Sequence, residues 1–198
     1  MNVAIDNVYA IILAAGSSSR MGSPKQLLEW RNRPLLVHAI TNTREIFRDR
    51  VIVVLGAHAE LIQTSIDLGA VTSIVNPDWQ EGMASSIRVG IKALPASAAA
   101  VLIMLCDQPL INAEHIQKLL SGWQHAPTHI VVSEYHQSVG VPVVFPAEFF
   151  TDLLALKGDR GAKPLILEFK DSLLKIPLSE AELDIDRPED FELLTNQF

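Results

Sequence analysis

The chain has 198 residues, of which 48% are hydrophobic, and this is enough to bury the core of one domain. Its 16 basic and 23 acidic side chains give a net charge of −7, which argues against general affinity for nucleic acid. The longest apolar run, residues 96–106, is too short to cross a bilayer, and Cys106, the single cysteine, excludes an internal disulfide. We therefore expect a soluble cytoplasmic protein with no membrane segment.

Apolar, β-branched segments alternate with helical patterns along the chain. Strands are predicted over 8–13, 50–55, 71–75, 100–105, 129–133 and 140–145. Helices are predicted over 34–47, 59–69, 82–94 and 112–123, and later a strand or hairpin over 136–146 with helices over 147–156, 162–170 and from Pro188 onwards. This order predicts an α/β fold of right-handed βαβ units around an open sheet covered on both faces, in one domain spanning 1–198.

The segment 14–25, with the sequence AAGSSSRMGSPK, directly follows the first predicted strand. Ligands of open α/β sheets lie beyond the carboxyl ends of the strands, so this position favours a binding site. Small residues allow backbone N–H groups to form an anion-binding nest, and Arg20 and Lys25 add the positive charge that a triphosphate requires. The segment is neither a Walker loop nor a G-x-G-x-x-G fingerprint. The alternative is an ordinary glycine turn with surface cations.

Carboxylates follow the apolar strand over 100–105 and recur near the end of the chain. Asp107 is expected at the carboxyl edge of the sheet, where it is well placed to hold Mg²⁺ together with substrate phosphates. Asp184 and Asp186 lie two residues apart, so on a strand they would face the same side and one could complete the metal site. The alternative is that Asp107 or Asp186 only caps a helix.

Two serines open the helix predicted over 82–94. Ser85 and Ser86 stand in its first turn, where hydroxyl groups can hold a ribose or a phosphate, although simple capping is an equally good interpretation. The six histidines are scattered without a metal-binding spacing, and no serine lies in a G-x-S-x-G elbow. Zinc-enzyme and serine-hydrolase functions are therefore disfavoured.

Taken together, these segments resemble the molybdenum cofactor cytidylyltransferase family, within the MobA-like NTP transferase superfamily. The resemblance is carried by LAAGSSSRMGSPKQLL, NPDWQEGMASSIRVGI, CDQPLI, GDRGAKPLI and DIDRPEDF, which occur in this order over nearly the whole chain. It implies a three-layer Rossmann-like fold of the glycosyltransferase-A type with a mostly parallel central sheet. It also implies a nucleotide half over about 1–125 and an acceptor-side half over about 126–198.

The resemblance further implies transfer of CMP from CTP to the phosphate of the molybdopterin cofactor, with Mg²⁺ and release of pyrophosphate. Its implied catalytic residues are Arg20, Lys25 and Asp107, and its implied nucleotide-binding residues are Leu13, Ala14, Ala15, Gly16, Arg20, Lys25, Ser86 and Asp107. Asp184 or Asp186 would join Asp107 as metal ligands. A molybdenum hydroxylase is the implied client for the product.

The implied acceptor side consists of Gly158, Asp159, Gly161 and the segment around Val141. Val141 departs from the histidine that we expect in this family, which leaves the identity of the acceptor open. Two alternatives therefore stand beside the cytidylyltransferase. One is a nucleotidyltransferase that uses GTP or another acceptor, such as a sugar or alditol phosphate. The other is a carrier that binds the molybdenum cofactor without turnover, which the presence of Arg20 and Lys25 disfavours because a carrier needs no cations for pyrophosphate.

Overall fold

The computed structural model describes residues 5–136 and 138–198. Residues 1–4 of the predicted domain, and Gln137 within the strand or hairpin predicted over 136–146, lie outside the described residues. The strands are β1 (Val8–Ala14), β2 (Glu29–Trp30), β3 (Arg33–Pro34), β4 (Val51–Leu55), β5 (Thr72–Val75), β6 (Ala100–Leu105), β7 (Ile130–Tyr135), β8 (Ser138–Pro146) and β9 (Leu173–Pro177). The α-helices are α1 (Leu35–Phe47), α2 (Ala59–Ser65), α3 (Met83–Lys92), α4 (Ala113–His125), α5 (Phe150–Ala155), α6 (Lys163–Glu168) and α7 (Pro188–Gln197).

Seven of these strands form one continuous sheet in the order β5-β4-β1-β6-β8-β7-β9. β5, β4, β1 and β6 are parallel neighbours, as are β7 and β9, whereas β8 runs antiparallel to both β6 and β7. The mostly parallel sheet predicted from the sequence is therefore confirmed. β2 and β3 form a separate small hairpin.

The central strands are apolar on both faces because helices cover both sides of the sheet. Along β1, Ala10 and Ile12 pack with buried residues of α1, α2 and α4, while Ile11 and Leu13 pack with those of α3, α5 and α6. This alternation follows the two-residue period of a strand. The result is the predicted three-layer α/β architecture. None of the helices in the described ranges is long and apolar enough to cross a membrane.

Several predicted boundaries differ from the structure for local physical reasons. The helix predicted over 59–69 ends at Ser65, because Ile66 is extended and the Asp67 carboxylate accepts a hydrogen bond from Gly69 N (2.8 Å), which closes a turn. The helix predicted over 147–156 is divided into a 3-10 turn and α5. β9 and the β2–β3 hairpin are absent from the sequence prediction. Asn112 caps α4 as predicted, by accepting a hydrogen bond from His115 N at 3.1 Å.

Candidate functional site

The sheet topology brings two of the predicted segments together. β1 and β6 are adjacent and parallel, with Leu13 paired to Leu105, so the loop over 15–25 and Asp107 leave the same edge of the sheet side by side. The C-terminal segment joins them through the backbone, because Ile185 N donates to Asp107 O at 2.9 Å. Sequence positions more than 160 residues apart therefore meet at one site.

An ion cluster occupies this edge. The Lys25 ammonium donates to the Asp107 carboxylate and, at 2.8 Å, to Asp186 Oδ1. The guanidinium of Arg20 donates to the second oxygen of Asp186 at 2.9 Å. The Lys25 and Asp107 side chains are only 14% and 8% exposed, whereas that of Arg20 is 64% exposed. The cluster thus has a buried Lys25–Asp107 pair and a solvent-facing Arg20–Asp186 pair.

The protonation states of the cluster follow from its contacts. Burial alone would lower the pKa of Lys25, but the charge of Asp107 and hydrogen bonds to Asp107 and Asp186 outweigh it and raise the pKa. The hydrogen bond from Lys25 in turn holds the pKa of Asp186 below its usual range. Both groups are therefore charged near neutral pH. Burial raises the pKa of Cys106 to about 12, so its thiol stays neutral and acts as a small core side chain.

The donor set of this cluster fits a divalent metal bound together with a substrate. Asp107 Oδ2 and Asp186 Oδ1 converge on one cation, the Lys25 ammonium, and Asp107 Oδ1 is buried without a hydrogen-bond partner. Across residues 5–136 and 138–198, His, Cys, Asp and Glu side chains form no group of three that could hold a metal ion. Two carboxylates completed by substrate phosphates are the arrangement that Mg²⁺ commonly uses.

Asp184 has a different environment from Asp186. The segment 183–186 is not a strand as predicted, although Ile185 is buried between two aspartates that retain solvent access. Desolvation by the surrounding chain, followed by the negative charge of Asp107, raises the pKa of Asp184 to about 7. Asp186 is thus the carboxylate that faces the Lys25 ammonium, while Asp184 lies near enough to Asp107 for that negative charge to disfavour its ionisation.

The raised pKa of Asp184 makes stability depend on pH in a definite direction. Its ordinary value is 3.8, so between about pH 4 and pH 7 the folded chain binds more protons at this group than the unfolded chain does. The free energy of unfolding should therefore fall as pH rises through this window, and Asp184→Asn should remove that part of the fall. Urea unfolding of the wild type and of Asp184→Asn at pH 5 and pH 8 measures these free energies. If the two proteins differ in free energy of unfolding by the same amount at both pH values, the raised pKa of Asp184 is contradicted.

A buried glutamine fixes the loop over 15–25. Gln26, with 1% exposure, donates from Nε2 to Ala14 O at 2.9 Å and to Gly16 O at 3.0 Å. Ser18 Oγ accepts a hydrogen bond from Lys25 N at 3.1 Å, which ties the two ends of the loop. These contacts within the protein fix the loop against the end of β1.

Gln26→Ala should destabilise the chain by about 2 kcal/mol, because it leaves two carbonyl groups without their donor in a buried place. It should also weaken nucleotide binding, since the loop loses its brace. Chemical denaturation and nucleotide titration measure the two effects. Gln117→Ala, at an exposed position of α4, is the matched control and should change neither. Unchanged stability in Gln26→Ala would show that the loop is held by other contacts.

A cavity of about 400 Å³ lies beside the ion cluster. The predicted site residues in its lining are Leu13, Ala14, Ala15, Gly16, Lys25, Ser86, Asp107 and Asp159. The remaining predicted site residues, Arg20, Asp184, Asp186, Gly158, Gly161 and Val141, are outside that lining. The lining thus combines the Lys25 ammonium, small side chains at the end of β1, and residues at the start of α3.

One part of the lining is formed where the start of α3 contacts the loop over 158–161. Gly82 precedes α3 with φ +105°, and a Cβ atom there would lie 2.7 Å from the Asp159 Cα, so only glycine fits. Met83 N and Ala84 N donate to Asp159 Oδ1 (3.2 Å) and Gly158 O (3.1 Å). The loop therefore caps α3 and places the carboxylate of Asp159 in the cavity wall.

Val141 lies near this edge through its backbone. Gln108 Nε2 donates to Val141 O at 3.2 Å and to Ala181 O at 2.9 Å, which connects the end of β6 to β8 and to the C-terminal segment. The Val141 side chain packs with the apolar cluster on the α3 face. Three buried amide side chains hold parts of the site together and were not predicted from the sequence: Gln26, Gln108 and, after β5, Asn76. The sequence shows each of them only as a polar residue beside a predicted site residue or at the end of a predicted strand.

The chain matches the family described as the MobA-like NTP transferase domain over residues 10–173. It is 33% identical to nicotine blue oxidoreductase of Paenarthrobacter nicotinovorans over 165 residues, which is 79% of each protein. It is 26% identical to molybdenum cofactor cytidylyltransferase of Escherichia coli (strain K12) over 185 residues, which is 93% of each protein. These matches confirm the resemblance inferred from the sequence.

The fold is also similar to a solved mycobacterial structure. Rv0371c of Mycobacterium tuberculosis H37Rv has a TM-score of 0.87 and 28% identity, covering 98% of this chain and 100% of that one. The structure of Rv0371c in complex with manganese has a TM-score of 0.82 and 25% identity, covering 96% of this chain and 98% of that one. The similarity extends over both halves of the sheet.

Proposed function

We propose that this chain, which belongs to the MobA-like NTP transferase family, transfers CMP from CTP to the phosphate of the molybdopterin cofactor and releases pyrophosphate. Membership of the family makes the chain a nucleotidyltransferase. The choice of CTP is supported by the sequence LAAG over residues 13–16, because the guanylyl branch of the superfamily is expected to have LAGG at this point. The choice of acceptor is supported by the similarity to the E. coli cytidylyltransferase over nearly the full length.

One observation carries the proposal: the Lys25 ammonium, on a side chain only 14% exposed, is held between Asp107 and Asp186 beside a cavity large enough for a nucleotide. A purely structural ion pair would not need the unpartnered Asp107 Oδ1 or a braced small-residue loop beside it. Cations and carboxylates next to such a cavity are what transfer of a nucleotidyl group requires, because both the triphosphate and its metal must be bound.

Mg²⁺ is the proposed metal, with Asp107 and Asp186 as its protein ligands. The solved structure of the similar Rv0371c in complex with manganese supports a divalent cation for this chain. When bound, the metal would neutralise charge on the phosphates of the nucleotide. The Lys25 ammonium, whose partners are the same two carboxylates, is then available to the phosphates.

The residues of the chain account for the rest of the reaction. An oxygen of the acceptor phosphate attacks the α-phosphorus, a new O–P bond forms, and the bond from the α-phosphorus to the bridging oxygen breaks to release pyrophosphate. A phosphate is already a competent nucleophile near neutral pH, so no general base is needed. Lys25 and Arg20 neutralise the developing charge on the leaving group, and the loop over 15–18 presents backbone N–H groups to the triphosphate.

The acceptor is proposed to bind on the side of the loop over 158–161 and Val141. The observation that supports this is the position of Asp159 in the wall of the same cavity. Without a histidine at 141, an acceptor other than molybdopterin stays the main alternative, together with GTP as nucleotide donor. Binding of the cofactor without turnover is the second alternative.

The test is release of pyrophosphate from each of the four NTPs with Mg²⁺, with and without molybdopterin cofactor. We expect release from CTP only, and only when the cofactor is present. Pyrophosphate release that requires a sugar or alditol phosphate would show that this compound, and not molybdopterin, is the acceptor. Pyrophosphate release from GTP would show that GTP, and not CTP, is the nucleotide donor. Nucleotide binding without any release would favour the carrier over the nucleotidyltransferase. Oxidation of NADH and NADPH is followed in the same samples, since one relative is an oxidoreductase by name, and its occurrence without pyrophosphate release would reject the proposal.

A further inference from the structure

The side-chain amide of Asn76 has a defined orientation. Asn76 is fully buried after β5, and its Oδ1 accepts a hydrogen bond from Asp78 N at 3.0 Å. This places Nδ2 towards α3, where it lies 2.7 Å from Ser85 Oγ and 3.0 Å from Ser86 Oγ. An amide nitrogen can only donate, so both serine oxygens act as acceptors towards Asn76.

The two serines differ in where their own hydroxyl hydrogens go. Ser85 Oγ donates its hydrogen to backbone carbonyl oxygens, with Asp78 O at 2.9 Å and Gly82 O at 2.8 Å. Ser86 is 3% exposed and lines the cavity, and within the described part of the chain its hydroxyl has no acceptor. The hydroxyl hydrogen of Ser86 is therefore available to an acceptor atom of a molecule that occupies the cavity.

The charge of the cavity indicates which part of a nucleotide comes to Ser86. Glu81 and Asp159 line the cavity together with Ser86, and both carboxylates are engaged, Glu81 in a salt bridge with Arg88 and Asp159 by Met83 N at 3.2 Å. The cation of the lining is Lys25, beside Asp107, so the phosphates are attracted towards Lys25. The uncharged nucleoside therefore belongs on the wall of α3, where the apolar side chains of Ala14, Ala15 and Met83 also suit a base.

Resting on the proposed function, we propose that Asn76 is a positioning residue that makes Ser86 a hydrogen-bond donor to an acceptor atom of the nucleobase. Asn76 Nδ2 occupies a lone pair of Ser86 Oγ, and this turns the hydroxyl hydrogen away from the protein and into the cavity. The carbonyl oxygen or the unprotonated ring nitrogen of a cytosine is the kind of acceptor that such a donor selects. Ser85 takes no part because its hydrogen is already used.

The test measures dissociation constants by calorimetry for CTP and 2′-deoxy-CTP with the wild type and four variants. Ser86→Ala should bind both nucleotides about tenfold more weakly, the loss of roughly one hydrogen bond. Ser85→Ala is the matched control and should lower the melting temperature while leaving both constants within about twofold. Asn76→Asp should weaken binding like Ser86→Ala, because a carboxylate accepts the Ser86 hydrogen and reverses its direction. The double variant Asn76→Asp, Ser86→Ala should bind no more weakly than Ser86→Ala alone.

Other results would overturn the inference. Additive losses in the double variant would show that Asn76 does not act through Ser86, and an equal loss in Ser85→Ala would show a merely structural effect. A loss seen with CTP but not with 2′-deoxy-CTP would assign the acceptor to the ribose. If Asn76→Asp does not fold, Asn76→Ala replaces it in the cycle. Wild-type protein that binds no NTP would reject the proposed function as well, whereas normal CTP binding by Ser86→Ala would reject this inference alone.

Discussion

Asp107→Ala is expected to abolish nucleotidyl transfer while the chain still folds. The carboxylate is lost from the Lys25 pair and from the proposed metal site, so both the cation cluster and the metal lose a ligand. Folding should survive because the link between β6 and the C-terminal segment uses the backbone carbonyl of Asp107, which accepts from Ile185 N, and not its side chain. Lys25 also keeps Asp186 as a partner.

The measurement is pyrophosphate release at saturating CTP and Mg²⁺, with circular dichroism and thermal unfolding as checks of the fold. Glu45→Ala, which removes an exposed carboxylate from α1, is the control and should retain full activity. Asp107→Asn keeps the shape of the side chain but not its charge, and it should be nearly as inactive. Activity of Asp107→Ala within about tenfold of wild type would remove Asp107 from the metal site.

Lys25→Ala should lower kcat by about 10²- to 10³-fold, the usual effect of removing one preorganised group that stabilises charge in a transition state. The reason is the position of the ammonium, which is buried, charged and next to the carboxylates of the proposed metal site. Lys118→Ala, at an exposed helical position paired with Glu114, is the control. A rise in KM with unchanged kcat would make Lys25 a binding contact only.

Although Lys25→Ala should lower kcat, the same variant should bind a divalent metal more tightly. In the wild type the ammonium competes with a divalent cation for Asp107 and Asp186, so Lys25→Ala should bind Mn²⁺ more tightly than the wild type in the absence of nucleotide. Electron paramagnetic resonance of free Mn²⁺ measures this without any turnover. Weaker Mn²⁺ binding in the variant would show that the metal does not use these two carboxylates.

The parts of the site that could be predicted are those fixed by strand order. The loop after β1 and Asp107 after β6 were found because buried parallel strands end at one edge of a sheet, and each strand has a clear apolar sequence. Asp186 was found only as one of two candidates. The structure distinguishes it from Asp184 by the contact with Lys25, which no spacing along the chain contains.

The parts that could not be predicted depend on long-range contacts. Gln26 braces the loop only because the chain folds back onto Ala14 and Gly16, and its sequence neighbours give no sign of this. β9 has the sequence LLKIP, whose lysine and proline are poor strand residues, and it forms by pairing with β7 at the edge of the sheet. The direction of β8 could not be predicted from the sequence either, because an apolar segment alone does not specify whether its neighbours in the sheet are parallel or antiparallel to it.

Because β8 is antiparallel to both of its neighbours, the sheet consists of two parts. One is the parallel set β5-β4-β1-β6 and the other is β8-β7-β9. The pairing of β6 with β8, from Ala100–Pro146 to Ile103–Val143, joins the two parts. Because β7 and β9 pair on the far side of β8, changes in those two strands leave the register of β1, β4, β5 and β6 as it is. A chain with this sheet can therefore keep the half that carries the loop after β1 and Asp107 while the other half accommodates a different small molecule.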